Sequence, residues 1–221
     1  MDSGNGTTGT SVSASRTRPP RATRPRGSYA NGRATRQDVL DAAMALFAEV
    51  GYRSASLREV ATRVGISHSG LLHHFGSKSG LLTAVLARRD EIDQAAIDAD
   101  VDAGQDVLSA LVHVVERNAD SPQLVQLFAT LSAEATAPDH PAHAYFQQRY
   151  AELVERVEAH LVELASAGRL RAGADPAAGA RVVVATMDGL QVQWLLARAS
   201  GGAVDMAAGL RALLATLVVP A

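Results

Sequence analysis

The chain is predicted to be all-α, with an N-terminal three-helix domain that contains a helix-turn-helix and a larger C-terminal helical domain. Three observations lead there. Two short, capped, apolar-periodic segments meet at Gly65 within the stretch Ser56–Leu82. Apolar residues continue at helical spacing to the C-terminus, with no alternating segment that reads as a strand and no internal repeat. Finally, a net charge of −2 hides a split: residues 1–32 carry +4, residues 33–89 carry +4, and residues 90–221 carry −10.

The elements follow in order. Thr35 is the expected N-cap of a first helix that carries Val39, Leu40, Ala43, Leu46, Phe47 and Val50 on one face and ends at Gly51. Ser56 with Glu59 three residues on forms a capping-box pattern, and Leu57, Val60, Ala61 and Val64 give the second helix its stripe. Gly65 suits the left-handed position that ends a helix. Ser67 then caps a third helix held by Ile66, Leu71 and Phe75, and Gly76 stops it. Ser77 caps a fourth, which carries Leu81, Leu82, Val85 and Leu86 and runs on as a connector to about Ile97. Further helices are expected around Val107–Val115, from Ser121-Pro122, from near Pro141 to Ala167, from Asp175-Pro176 to about Ala199, and over Asp205–Val218.

Composition removes several function classes. The chain of 221 residues has no cysteine, so it has no disulfide or thiolate metal ligand, and no run of 18 uncharged apolar residues that would cross a membrane. The N-terminus has no apolar signal core, so a cytoplasmic location is expected. His140 and His143 stand three apart near Glu134, but Pro141 lies between them and no further ligand follows at metal spacing. No phosphate-binding glycine loop, nucleophile elbow or zinc-peptidase helix is present, so neither catalysis nor a cofactor is expected.

A basic front and an acidic rear suit a protein whose first third meets phosphate. The order helix, Gly-Tyr, capped helix, Gly turn, short helix, Phe-Gly-Ser-Lys, long helix is restrictive. On LFAEVGY, SLREVATRVGISHSGLLHHFGSK and GLLTAVL, the segment from about Arg33 to Arg89 resembles the TetR family of bacterial transcriptional regulators. The resemblance implies a DNA-binding domain over residues 33–80 and a helical domain over 81–221 that binds an effector and dimerises. It makes His68–His74 the recognition helix. The family often has tyrosine at the position of Leu72 and threonine at that of Ala55, so two phosphate contacts are in doubt here.

Within this frame the DNA-contact candidates are Ser67, His68, Ser69, Gly70 and His73 on the reading helix. Arg33, Thr35, Arg36, Ser54, Ser56 and Lys78 are candidates for backbone phosphate, Lys78 because the family's matching lysine makes that contact. His74, beside Phe75, is expected to pack inward. Residues 1–32, rich in Ser, Thr, Gly and Pro with five arginines, are expected to be a disordered basic arm able to follow a minor groove or phosphates.

The last two helices, VVVATMDGLQVQWLL and LRALLATLVV, are apolar over much of their surface, which suggests a four-helix bundle shared between two copies. Such a homodimer matches a near-palindromic operator. Phe128, Tyr145, Phe146, Met187, Asp188, Gln191 and Trp194 are the candidates for an apolar effector cavity, with Asp188 suited to a polar or cationic group. The expected function is a homodimeric repressor released from its operator by an unidentified small molecule. The rival is a helical protein-interaction module whose DNA affinity is weak and non-specific.

Overall fold

The computed structural model describes residues 28–219, with side chains from residue 36 onward. Residues 1–27 of the expected arm lie outside the described residues, as do the side chains of Arg33 and Thr35; residues 28–32, expected to belong to the disordered arm, instead form the start of the first helix. Nine helices are present among the described residues: α1 Ser28–Ser54, α2 Leu57–Arg63, α3 His68–Phe75, α4 Lys78–Asp102, α5 Val107–Asn118, α6 Pro122–Glu134, α7 His143–Ser166, α8 Pro176–Ala199 and α9 Met206–Leu217. No strand occurs among them; a single antiparallel bridge, Leu170 to Val218, ties the end of α9 to the loop after α7.

Capping residues set most boundaries. Side chains of Ser56, Ser67, Ser77, Asp106, Asp175 and Asp205 each accept a backbone N–H of the first turn that follows. Two expectations fail at caps. Thr35 falls inside α1, because no proline interrupts the backbone from Ser28 onward. Ser121 precedes α6 but makes no side-chain cap bond; Pro122 in the first turn already lacks an N–H to satisfy. Gly51 breaks α1 near its end with φ 79° and ψ 156°, a backbone state that side-chain-bearing residues rarely adopt.

Two cores form. The first joins Leu40, Leu46 and Phe47 of α1, Leu71 of α3, Leu81, Leu82 and Leu86 of α4, Leu127 and Leu131 of α6, and Phe146 of α7. The second joins α5, α7, α8 and α9 with Ile97 near the end of α4. The first core therefore runs from the three-helix head into the body without a break. No fully buried polar or charged residue occurs among the described residues. Fully buried side chains such as Leu40, Leu71 and Leu86 contribute about 2 kcal/mol each by leaving water.

Candidate nucleic-acid interface and effector chamber

The head presents α3 outward. Leu71 is fully buried and fastens the helix, while Ile66 and Phe75 pack beside it. Helical periodicity then turns Ser69 and His73 to solvent, with Ser67 exposed at the start and His68 and Gly70 half-buried. Ser67 Oγ accepts the Gly70 N–H at 3.0 Å and lies 3.1 Å from Ser69 Oγ. A β-carbon at Gly70 would sit 3.1 Å from that same oxygen, so the missing side chain leaves room for the cap.

Helix α2 braces this arrangement. Ser56 Oγ accepts from the Arg58 and Glu59 amides. Glu59 forms an ion pair with Arg63 at 3.3 Å, and Arg63 also donates to Glu49 of α1 at 2.7 and 2.9 Å. The fork between Arg63 and Glu49 holds the Glu49 carboxyl below its ordinary range, chiefly through the hydrogen bonds. Ser54 and Ser56 are exposed, and Arg36 is exposed with its guanidinium 5.5 Å from the Phe75 ring centre.

Two head residues depart from expectation. His74 is exposed rather than packed, its ring 5.8 Å from His73 and 6.3 Å from Phe75. Three residues after Leu71, His74 stands about 60° away round the helix, at the rim of the buried side, and its ring extends into solvent. Lys78 turns inward: its Nζ donates to the Arg53 carbonyl at 2.9 Å and lies 4.7 Å from the Tyr52 ring centre. Partial burial there lowers its pKa. Its ammonium thus ties the start of α4 to the end of α1.

Four of the seven effector candidates converge. Phe128, Phe146, Asp188 and Gln191 line a chamber of about 80 Å³ among α4, α6, α7 and α8. Tyr145 faces a separate groove of about 730 Å³ between α4 and α7. Met187 is buried in the second core, and Trp194 packs against that core with Arg198 over its ring. The chamber is also not the apolar cavity that was expected, because Arg89, Asp93 and Arg149 share its wall. These three, with Tyr150 and Ser132, escaped the sequence reading: a charged residue on a long helix ordinarily marks the solvent side.

Burial governs the chamber's electrostatics. Arg89 pairs with Asp93 at 2.9 Å and donates to Asn118 at 2.8 Å. Burial outweighs that pairing and raises the Asp93 pKa. The Tyr150 hydroxyl donates to Asp188 at 2.7 Å. Burial nevertheless raises the Asp188 pKa, and burial plus that carboxylate push Tyr150 up to about 12. Outside the chamber, His140 lies 3.7 Å from Glu134, while His143 turns to the Ala135 carbonyl at 2.7 Å, so the two histidines serve different local contacts.

A small head with one outward helix, fused through a common core to a larger helical body, defines the class of all-helical helix-turn-helix proteins. Comparison narrows it. Residues 39–85 match the profile of bacterial regulatory proteins of the tetR family, and residues 103–219 match that of the BetI-type transcriptional repressor C-terminal region. The repressor KstR2 of Rhodococcus jostii (strain RHA1) is 32% identical over 119 residues, which is 54% of this chain and 52% of KstR2. The chain thus spans about half the length of that relative. A solved TetR-family regulator from Agrobacterium tumefaciens is 25% identical with a TM-score of 0.69, covering 85% of this chain and 99% of that one. SmeT, the repressor of a Stenotrophomonas maltophilia multidrug efflux pump, solved with triclosan, gives 24% and 0.71 over 84% and 92%, a likeness of fold. This chain belongs to the TetR family.

Proposed function

We propose that the chain is a homodimeric repressor that binds a near-palindromic operator and is released from it by a small molecule. The observation that carries this reading is the outward face of α3, where Ser69 and His73 are exposed beside half-buried His68 on a helix fastened by Leu71. Histidine and serine can both read base edges in a major groove. Ser54, Ser56, Ser67 and Arg36 surround that face as phosphate partners, and Arg33, Thr35 and the basic arm extend the same role. Lys78 serves as a phosphate partner only if its ammonium leaves the Arg53 carbonyl.

The dimer reading rests on α8 and α9. Positions 178, 182, 185, 189, 192 and 196 form one stripe of α8 at alternating spacings of four and three. Val182 and Val192 are each 47% exposed, and Leu196 is 68% exposed. A β-carbon at Gly189, in the middle of the stripe, would meet nothing within 4 Å. Ala208, Ala212 and Ala215 continue an exposed small-residue face along α9, and exposed Val219 follows just beyond the helix end. An apolar heptad seam open to water favours a second copy. The chamber supports an effector, as does the ligand seen in the SmeT structure.

Selection from fragmented genomic DNA at near-physiological salt tests the function. A near-palindromic site that the His68→Ala/His73→Ala variant no longer enriches is the expected result. Only salt-labile, unselective binding would remove the reading.

A further inference from the structure

The chamber and the groove beside it share two residues, Asp93 and Arg149, and the common cation is the Arg149 guanidinium. It lies 5.5 Å from the centre of the Phe128 ring and pairs with Asp90 of α4. The Tyr145 hydroxyl also reaches Asp90, at 2.5 Å. A cation over an aromatic face, with a carboxylate at its edge, is the arrangement by which proteins recognise organic cations. Here the chain supplies the cation itself.

Local charge is not balanced. Arg88 pairs with Glu91, Arg89 with Asp93 and Arg149 with Asp90. Arg156 and Glu152 offset one another along the groove. Asp188 is left over, and its hydrogen-bond partner is the neutral Tyr150 hydroxyl. The lining of the combined space holds three guanidiniums and five carboxylates; with Arg88, which pairs with Glu91 from outside the lining, one carboxylate is still in excess. An incoming monocation would complete the balance, whereas an anion would double the deficit.

We propose that the effector is a small planar organic cation of the amidinium or guanidinium class, which binds against Phe128 and Asp188 by displacing the Arg149 guanidinium. With that side chain moved aside, the chamber of about 80 Å³ opens into the groove of about 730 Å³, enough for a ligand with a substituent. Displacement also frees Asp90, which leaves Tyr145 as its remaining α7 partner and loosens α4 from α7. The assignment of a ligand class rests on the effector reading above.

Titration calorimetry of the full-length protein with benzamidine, benzamide and benzoate tests it, because the three share size and differ in charge. Benzamidine should bind, with benzamide and benzoate at least tenfold weaker, on the scale of one charged hydrogen bond. Arg149→Met, which retains an apolar stem, should bind benzamidine at least tenfold tighter because the internal competitor is gone. Arg149→Ala gives a second chance to see this if the first variant folds poorly by circular dichroism. Asp188→Asn should bind it at least tenfold more weakly. Benzamide binding as well as benzamidine would overturn the proposal, as would Arg149 variants with no gain. Benzamidine binding in a protein that selects no DNA site would support the cation site and remove the regulatory reading alone.

Discussion

Gly80 offers the sharpest test of how the reading helix is positioned. A β-carbon there would lie 2.2 Å from the Phe75 carbonyl oxygen, the last residue of α3, and 3.5 Å from Ser77 Oγ. The nearest atom belongs to backbone, so no side-chain rotation relieves the overlap; the first turn of α4 must move away from α3. In an open helix, Gly→Ala stabilises by about 1 kcal/mol. Overpacking costs about 1–3 kcal/mol, and a backbone clash falls at the upper end. Gly80→Ala should therefore lose about 1–2 kcal/mol net, or roughly 2–8 °C in Tm for a chain of this size. Differential scanning calorimetry reads the stability, and gel-shift titration on the selected operator reads the displacement of α3. An unchanged or raised Tm together with unchanged operator affinity would refute the claim that close approach of α3 and α4 fixes the reading face.

Other perturbations separate the remaining elements. Val192→Asp/Leu196→Asp should yield a monomer by analytical ultracentrifugation while circular dichroism keeps its helical signal; a persisting dimer would place the interface elsewhere. Ser67→Ala removes the acceptor for the Gly70 amide and should cost about 1 kcal/mol, seen as a lower Tm. Burial raises the Asp188 pKa, so the folded state keeps a proton that the unfolded chain releases. That group therefore destabilises the fold as pH rises through the ordinary carboxylate range, and the cost grows until the pH passes its raised folded-state pKa. Asp188→Asn should raise Tm at pH 7 and leave it nearly unchanged at pH 3, which a pH series of thermal melts would check.

The head was legible because its signals are local. Ser56, Ser67 and Ser77 act on amides two or three residues away, and glycines at 65 and 76 adopt the positive φ that their places in the pattern demand. Leu71 was readable from its phase relative to Ile66 and Phe75. The chamber was harder to see because its determinants are contacts across the chain. Arg149 meets Asp90 and Tyr150 meets Asp188, separations of 59 and 38 residues, and neither pairing leaves a mark in local periodicity. Aromatic content singled out Phe128 and Phe146, which line the chamber, and equally Trp194, which α8 packs against the second core instead. Lys78 shows the complementary case: residue type and position suggested phosphate, while the fold offers its ammonium a carbonyl and a ring closer at hand.

The continuity of the first core has a mechanical consequence. Because α1, α3, the front of α4, α6 and the start of α7 share one apolar interior, the head has no hinge of its own, and it moves as the front of α4 moves. Helix α4 has 25 residues and so is a rod of about 37 Å, with Leu81–Leu86 fixed in the head and Asp90 and Asp93 beside the chamber. A rod of that length acts as a lever. Asp93 stands 15 residues from Lys78, about 22 Å, so a tilt of about 5° at the chamber would sweep the head end of the helix by about 2 Å, more than half the roughly 3.4 Å rise of one base pair. Under the proposed effector reading, a small tilt of α4 around a ligand would thus be amplified at the reading helix.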